Sequence, residues 1–118
     1  MEVTTILFKL IEMEQQMRVF HWQTKSFARH KAFGDTYAAL GDLIDTFAEA
    51  YMGKYGRFKV APMNLKDIDN DVDLVIEEYV EFLVSLTDQM EAGDTDLVNI
   101  RDEMLALMNK LKYLLSLK

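Results

Sequence analysis

The segment His21-Trp22-Gln23-Thr24-Lys25-Ser26-Phe27-Ala28-Arg29-His30 decides how this chain is read. It holds both histidines of the protein and divides two long amphipathic patterns. Upstream, Ile6, Leu10, Met13, Met17 and Phe20 recur at three- and four-residue steps, which is one stripe of a helix. Downstream, Phe33, Tyr37, Leu40, Ile44, Phe47 and Tyr51 do the same. The break between them, at Thr24 to Phe27, contains Ser26, a residue suited to cap the helix that follows.

The first helix is therefore expected from about Val3 to Thr24, and the second from about Ala28 to Lys54 with Gly53 and Gly56 at its end. Arg57 to Asn70 is the longest connection and holds Pro62 and Asn64. A third helix is expected from about Ile68 to Met90. It turns Val72, Val75, Ile76, Tyr79, Leu83 and Leu86 inward and Glu77, Glu78 and Glu81 to solvent. The turn Gly93-Asp94-Thr95 supplies Asp94 or Thr95 as the next cap. The fourth helix, about Asp96 to Leu117, carries Leu97, Ile100, Met104, Leu107, Met108, Leu111, Leu114 and Leu115 on one stripe. Four such helices, with two short joints, predict an all-α antiparallel four-helix bundle in which residues 1–118 form a single domain. The long joint is compatible with a diagonal or a lengthwise crossing.

Composition narrows the rest. A chain of 118 residues that is half hydrophobic supports one core, and a domain this small gains from oligomerisation. One proline and five glycines favour uninterrupted helices. With no cysteine, disulfides, thiolate zinc sites and iron–sulfur clusters are excluded. The formal net charge of −7 opposes binding to phosphate backbones. The densest basic stretch, Lys54, Arg57 and Lys59, is short, and neither end carries a basic tail. No apolar run reaches the length of a membrane span. Met1-Glu2-Val3 lacks the basic start of a signal peptide, so the expected location is cytoplasmic.

The chemistry-bearing residues cluster. Asp45 and Glu49 follow His30 along the second helix and lie within about 100° of it around the axis. Imidazole and carboxylate ligands together suit iron, zinc or manganese. A metal at the bundle centre is disfavoured, because no Glu-x-x-His occurs and the inward stripes of the third and fourth helices carry neither carboxylate nor histidine. His30 and Asp45 are separated by about 22 Å along a straight helix, at roughly 1.5 Å per residue. If they share a metal, Asp45 and Glu49 come from one chain and His30 from an antiparallel partner. Glu14, on the inner stripe, is expected to pair with Arg18 or His21. Taken singly, His21 also reads as a helix cap suited to the dipole, and Asp45 with Glu49 as a solvated edge. No role follows for Tyr51, Tyr55 or Arg57.

The stretch His21-Trp22-Gln23-Thr24-Lys25, then Phe27, His30, Phe33 and Tyr37, then Asp45-Thr46-Phe47-Ala48-Glu49, resembles the Dps (mini-ferritin) family of the ferritin-like superfamily. That family has a His-Trp-Asn-Val-Lys-Gly segment, a His-Glu-x-x-Asp segment and an Asp-x-x-Ala-Glu segment. Asp94-Thr95, Lys110 and Tyr113 are a looser echo of it. The resemblance covers the whole chain in layout and is specific only over His21 to Glu49. It implies a ferritin-like bundle and an intersubunit di-iron ferroxidase site, where iron(II) is oxidised, typically by hydrogen peroxide. It also implies a dodecameric shell that stores the mineral. His21 and His30 match the family's two histidines, and Asp45 and Glu49 match the carboxylates of the partner chain. The remaining family carboxylate falls on Gly34. Asp35 is next to it but turned by about 100°. The segment between the histidines is also shorter than the family's usual one. The shortened form looks similar to small uncharacterised proteins encoded by tailed phages and some bacteria.

The resemblance thus sets these expectations: iron, or zinc or manganese, at His21, His30, Asp35, Asp45 and Glu49 in a homo-oligomer, dimer or dodecamer. No nucleic acid, membrane or small organic ligand is inferred as a partner. The alternative is a non-catalytic bundle that keeps the fold and serves in assembly or partner binding, which Gly34 favours.

Overall fold

The computed structural model describes residues 3–117; Met1 and Glu2, on which the signal-peptide reading rests, lie outside them. Four α-helices account for most of the chain: α1 Val3–Gln23, α2 Phe27–Tyr55, α3 Val72–Ser85 and α4 Thr95–Ser116. A short 3-10 turn, Leu86–Gln89, extends α3. The all-α class is as expected, and no strand occurs among the described residues.

The anticipated stripes form the core. Ile6, Leu10, Met13, Met17 and Phe20 of α1 pack with Phe33, Leu40, Ile44 and Phe47 of α2. Ile76, Tyr79 and Leu83 of α3 and Met104, Met108 and Leu111 of α4 close the other side. Each fully buried large apolar side chain contributes about 1.5–3 kcal/mol relative to exposure. Ser26 caps α2 as expected, its hydroxyl accepting from the Arg29 amide at 3.2 Å. Gly56 ends α2 at φ 93°, a left-handed conformation that favours glycine; Gly53 stays inside the helix.

The third helix starts later than its pattern predicts. Ile68 lies in the connection, and Asp71 caps α3 by accepting from the Leu74 amide. Asp94 occupies the capping position of α4, its carbonyl accepting from the Val98 amide at 2.9 Å, but its side chain does not bond that helix. Its carboxylate instead accepts from the Tyr55 hydroxyl at 2.6 Å, from Lys54 Nζ at 3.0 Å and from the Glu91 amide at 2.9 Å. Tyr55, for which the sequence supplied no role, thereby ties the end of α2 to the start of α4.

Side-chain bonds give the helix directions. Arg29, at the start of α2, donates to the Leu115 carbonyl at the end of α4. With Lys54 bonded to Asp94 and Asp96 at the other end, α2 and α4 are antiparallel. The 56–71 connection runs the length of α1: Phe58 packs edge-on against Phe8, and the Ile68 amide donates to Gln23. It therefore delivers α3 parallel to α2 and antiparallel to α1. The crossing is lengthwise.

A ladder on α1 explains why. The Asn64 amide donates to Glu12 Oε1 at 3.0 Å, and the Lys66 amide donates to Gln16 Oε1 at 2.6 Å. Gln16 Nε2 returns a bond to the Lys66 carbonyl at 2.8 Å. Four helical residues rise about 6 Å, and two extended residues advance about 6.6 Å, so alternate crossover residues meet side chains one turn apart. Glu12 also accepts from the Tyr79 hydroxyl at 2.8 Å, which joins α3 to the same point. On α4, buried Arg101 caps α3, donating to the Leu83 carbonyl at 2.9 Å and the Thr87 hydroxyl at 2.7 Å.

These bonds set an acid limit to stability. Burial pushes the Glu12 carboxyl up, but donation from Asn64, Tyr79 and Lys9 outweighs it and holds the group below its ordinary value. Donation from Tyr55, the Glu91 amide and Lys54 holds Asp94 below the ordinary range. A carboxyl depressed in the folded state stabilises above its unfolded pKa and loses that contribution as pH falls through the folded one. The hydrogen bond to Asp94 pushes the Tyr55 phenol up to about 12, so its contribution is lost only in strong alkali. Urea-unfolding stability is expected to hold from neutral pH down to about pH 5 and to fall below it. The deficit of Asp94→Asn against the parent should shrink steadily from about pH 5 to 3; a deficit that stays constant over that window contradicts this assignment.

Candidate functional site

The end of α1 and the start of α2 bring His21 and His30 together. Their rings stack with centroids 3.8 Å apart and planes 17° from parallel. Each ring bonds the other residue's backbone: His21 Nδ1 to the His30 carbonyl at 2.6 Å, and His30 Nδ1 to the His21 carbonyl at 2.7 Å. A carbonyl oxygen only accepts, so both Nδ1 atoms carry hydrogen. In the neutral rings both Nε2 atoms then keep a lone pair. The Nδ1 bond to a carbonyl is also the usual way a metal-binding histidine is held in one tautomer. His30 moreover satisfies a carbonyl in the last turn of α1, which that helix leaves without an internal partner.

The pair is built into a seam. Gly34 lies against the His21 ring: a Cβ there would sit 2.8 Å from His21 Cε1 and 3.0 Å from Nδ1. The edge of the His21 ring meets Tyr37 at 5.3 Å, and the Arg18 guanidinium stacks over Tyr37 at 4.5 Å. Arg18 in turn donates to Glu14 at 3.3 Å, which resolves the expected Glu14 pairing in favour of arginine. Gly34 thus has a packing role that the sequence alone did not reveal. A carboxylate at this position is incompatible with the present place of the His21 ring.

The carboxylates lie elsewhere. Asp35 is exposed and pairs with Lys31 at 3.8 Å, on the side of α2 that faces the end of α4. Asp45 and Glu49 are exposed on the same unbroken helix as His30, about 22 Å further along in the case of Asp45. Among the described residues no three histidine, aspartate or glutamate side chains come together as a metal-ligand group. One chain therefore offers two imidazoles at one end of α2 and two carboxylates toward the other.

Sequence reading missed the buried polar residues Glu12, Gln16 and Arg101. A signal for the first two was present: Glu12 and Gln16 are one helical turn apart, beside the apolar stripe and before a long connection. Arg101 gave none, since a lone arginine on a helix usually faces solvent. The expected absence of membrane spans agrees with the structure to this extent: among the described residues no helix is long and apolar enough to cross a membrane.

The fold and this site define a small all-α protein with a paired-histidine seam. Residues 21–115 match the model of a family of unknown function, DUF5856, and the chain belongs to that family. It is also similar to an uncharacterised 14.6 kDa protein from the mobD–ri intergenic region of Enterobacteria phage T4. The two are 33% identical over 100 residues, covering 83% of this chain and 75% of the phage protein. No solved structure matches.

Proposed function

We propose that this protein is a ferritin-like metal-binding protein whose site is completed between two chains. His21 and His30 come from one copy and Asp45 and Glu49 from the other. The observation that carries this reading is the reciprocal histidine pair, which pins both Nδ1 atoms and leaves both Nε2 atoms free to ligate. The path of the chain supports the ferritin-like assignment: two antiparallel helix pairs are joined by one long crossover, a connection that ferritin-like folds use. Iron(II) is the first candidate, with zinc or manganese next, since the donors are imidazole and carboxylate. Asp35 points away from the histidines, and Gly34 supplies no ligand. One metal per site is therefore expected, held more weakly than in a complete di-iron centre; because the two imidazole planes stack 3.8 Å apart, a single ion takes one Nε2 atom as the rings stand and both only once the stack opens. Ferroxidase activity is correspondingly reduced or absent. The phage T4 relative is consistent with a phage-type setting for the family.

Titration calorimetry with iron(II) under anaerobic conditions, or with zinc, tests the reading. Replacing Asp45 and Glu49 together by alanine is expected to abolish binding while helicity is retained. Both residues are exposed and outside the core, so folding does not depend on them. Unchanged binding in that double variant would falsify the two-chain site. The second reading, a non-catalytic bundle acting in assembly or partner binding, would then be the better account. It is favoured by Gly34, whose place is explained by the packing of His21 alone.

A further inference from the structure

The two imidazoles of the site lie face to face. A histidine nitrogen binds a metal along its lone pair, in the ring plane, at about 2.0–2.1 Å. Rings with centroids 3.8 Å apart and planes 17° from parallel do not let one ion lie in both planes at that distance. An ion set midway would stand about 1.9 Å from each plane, half the separation, and its bonds would meet the ring faces instead of the lone pairs. The closed pair therefore does not fit an ion shared by both rings.

The rings are not held alike. His21 is half-buried and wedged: Gly34 lies against it, Tyr37 meets its edge, and its Nδ1 bonds the His30 carbonyl. His30 is exposed. Its ring has only the bond to the His21 carbonyl, the stack on His21 and the Phe27 ring at 6.5 Å. What this ring holds is the end of α1. The Thr24 amide takes the Phe20 carbonyl at 3.0 Å, and the next carbonyl, that of His21, is taken by His30. That bond is exposed, so water can replace it at small net cost.

We infer that His30 is a swinging arm: at rest its ring straps the end of α1 and stacks on His21, and it leaves both positions to join His21 on one imidazole-seeking cation. The second strap, His21 Nδ1 to the His30 carbonyl, stays closed, because it joins the wedged ring to backbone and not to the arm. The strap that opens also sets a threshold. Magnesium takes oxygen ligands, gains nothing from a second imidazole and leaves the arm in place. Zinc or iron(II), which take imidazole, offset the lost bond and stack. This movement rests on the metal-binding reading above and adds to it the side chain that moves and the bond that opens.

With only two histidines in the chain, the ring nitrogens can be followed singly by long-range proton–nitrogen NMR of the full-length labelled protein. His30→Gln, which keeps an amide donor for the His21 carbonyl, removes one set of signals and so assigns them. Without metal, the Nδ1–H protons of both rings should be visible. On titration with zinc, which is diamagnetic, both Nε2 resonances are expected to shift. The His30 Nδ1–H signal should be lost to exchange with water, while that of His21 persists. Magnesium should change none of them. Zinc binding that shifts only one Nε2, or that leaves both Nδ1–H signals in place, overturns the arm while the metal site stands. Loss of the His21 Nδ1–H signal as well, or the same response to magnesium, overturns the assignment of His30 as the ring that moves. No shift at either Nε2 removes the metal reading, and the arm with it.

Discussion

Replacing Glu12 with alanine is expected to lower the unfolding free energy by about 3 kcal/mol and to release the crossover from α1. The substitution removes an acceptor shared by the Asn64 amide and the Tyr79 hydroxyl. Tyr79 is 4% exposed, so water cannot readily replace the lost partner. A buried donor left without an acceptor costs about 1–3 kcal/mol, and two donors are affected here. The conservative Glu12→Gln keeps one acceptor oxygen and should cost about half as much. Urea unfolding measures the loss. Amide exchange locates it: Asn64 and Lys66 should lose protection in Glu12→Ala, while the buried middle of α2 keeps its own. Undiminished protection at Asn64 would show that the crossover is held by something other than this ladder.

The second large effect concerns glycine. Three positions on α2 accept the same change to alanine with different expected signs. At Gly53 an added Cβ meets nothing within 4 Å. Alanine there should stabilise by about 0.5–1 kcal/mol, the usual gain of alanine over glycine in a helix. At Gly41 the nearest atom, Glu14 Oε1, is 3.6 Å away, an ordinary contact, so a smaller gain is expected. At Gly34 the added carbon would stand 2.8 Å from His21 Cε1. That ring is held on its other side by His30 and by its own bond to the His30 carbonyl, so it cannot yield without losing both. Overpacking of this kind costs about 1–3 kcal/mol, which exceeds the helix gain. Gly34→Ala should therefore be the least stable of the three in thermal unfolding. It should also weaken metal binding, since it displaces one of the two imidazoles, whereas Gly53→Ala should leave binding unchanged. A Gly34→Ala protein as stable as the parent would mean that His21 does not pack where the structure places it.

Much of the fold was legible because helix formation and burial follow the same period. The stripe from Ile6 to Phe20 and that from Phe33 to Tyr51 define both the helices and the faces they bury. Ser26 was legible as a cap because its hydroxyl acts on an amide three residues away. The start of α3 was not. Ile68 continues the apolar pattern, but its amide is taken by Gln23 from another helix, and Asp71 begins α3 instead. Asp94 was legible as the N-cap position of α4, but the bonds of its side chain were not. Its place before α4 is that of a cap, yet Tyr55 and Lys54, about forty positions earlier, claim its oxygens. In the candidate site, the nearness of His21 to His30 and the remoteness of Asp45 were both readable. The first follows from a short turn, the second from the rise of one unbroken helix.

The sequence by itself determined the all-α class, the buried faces of the four helices, and the separation of the histidines from Asp45 and Glu49 along α2. These depend on neighbours within a turn or two, where helical geometry is nearly constant. Only the tertiary structure decided the lengthwise path of the crossover, the tautomers of the two histidines, and the meaning of Gly34. The first depends on Glu12, Gln16 and Gln23 meeting a segment some fifty residues away. The second depends on carbonyls presented across a helix joint. At Gly34, the sequence shows only a residue without a side chain, and the fold shows space occupied by a ring from α1. Periodicity tells which face of a helix is buried; it does not tell what packs there, because that contact is made by a different part of the chain.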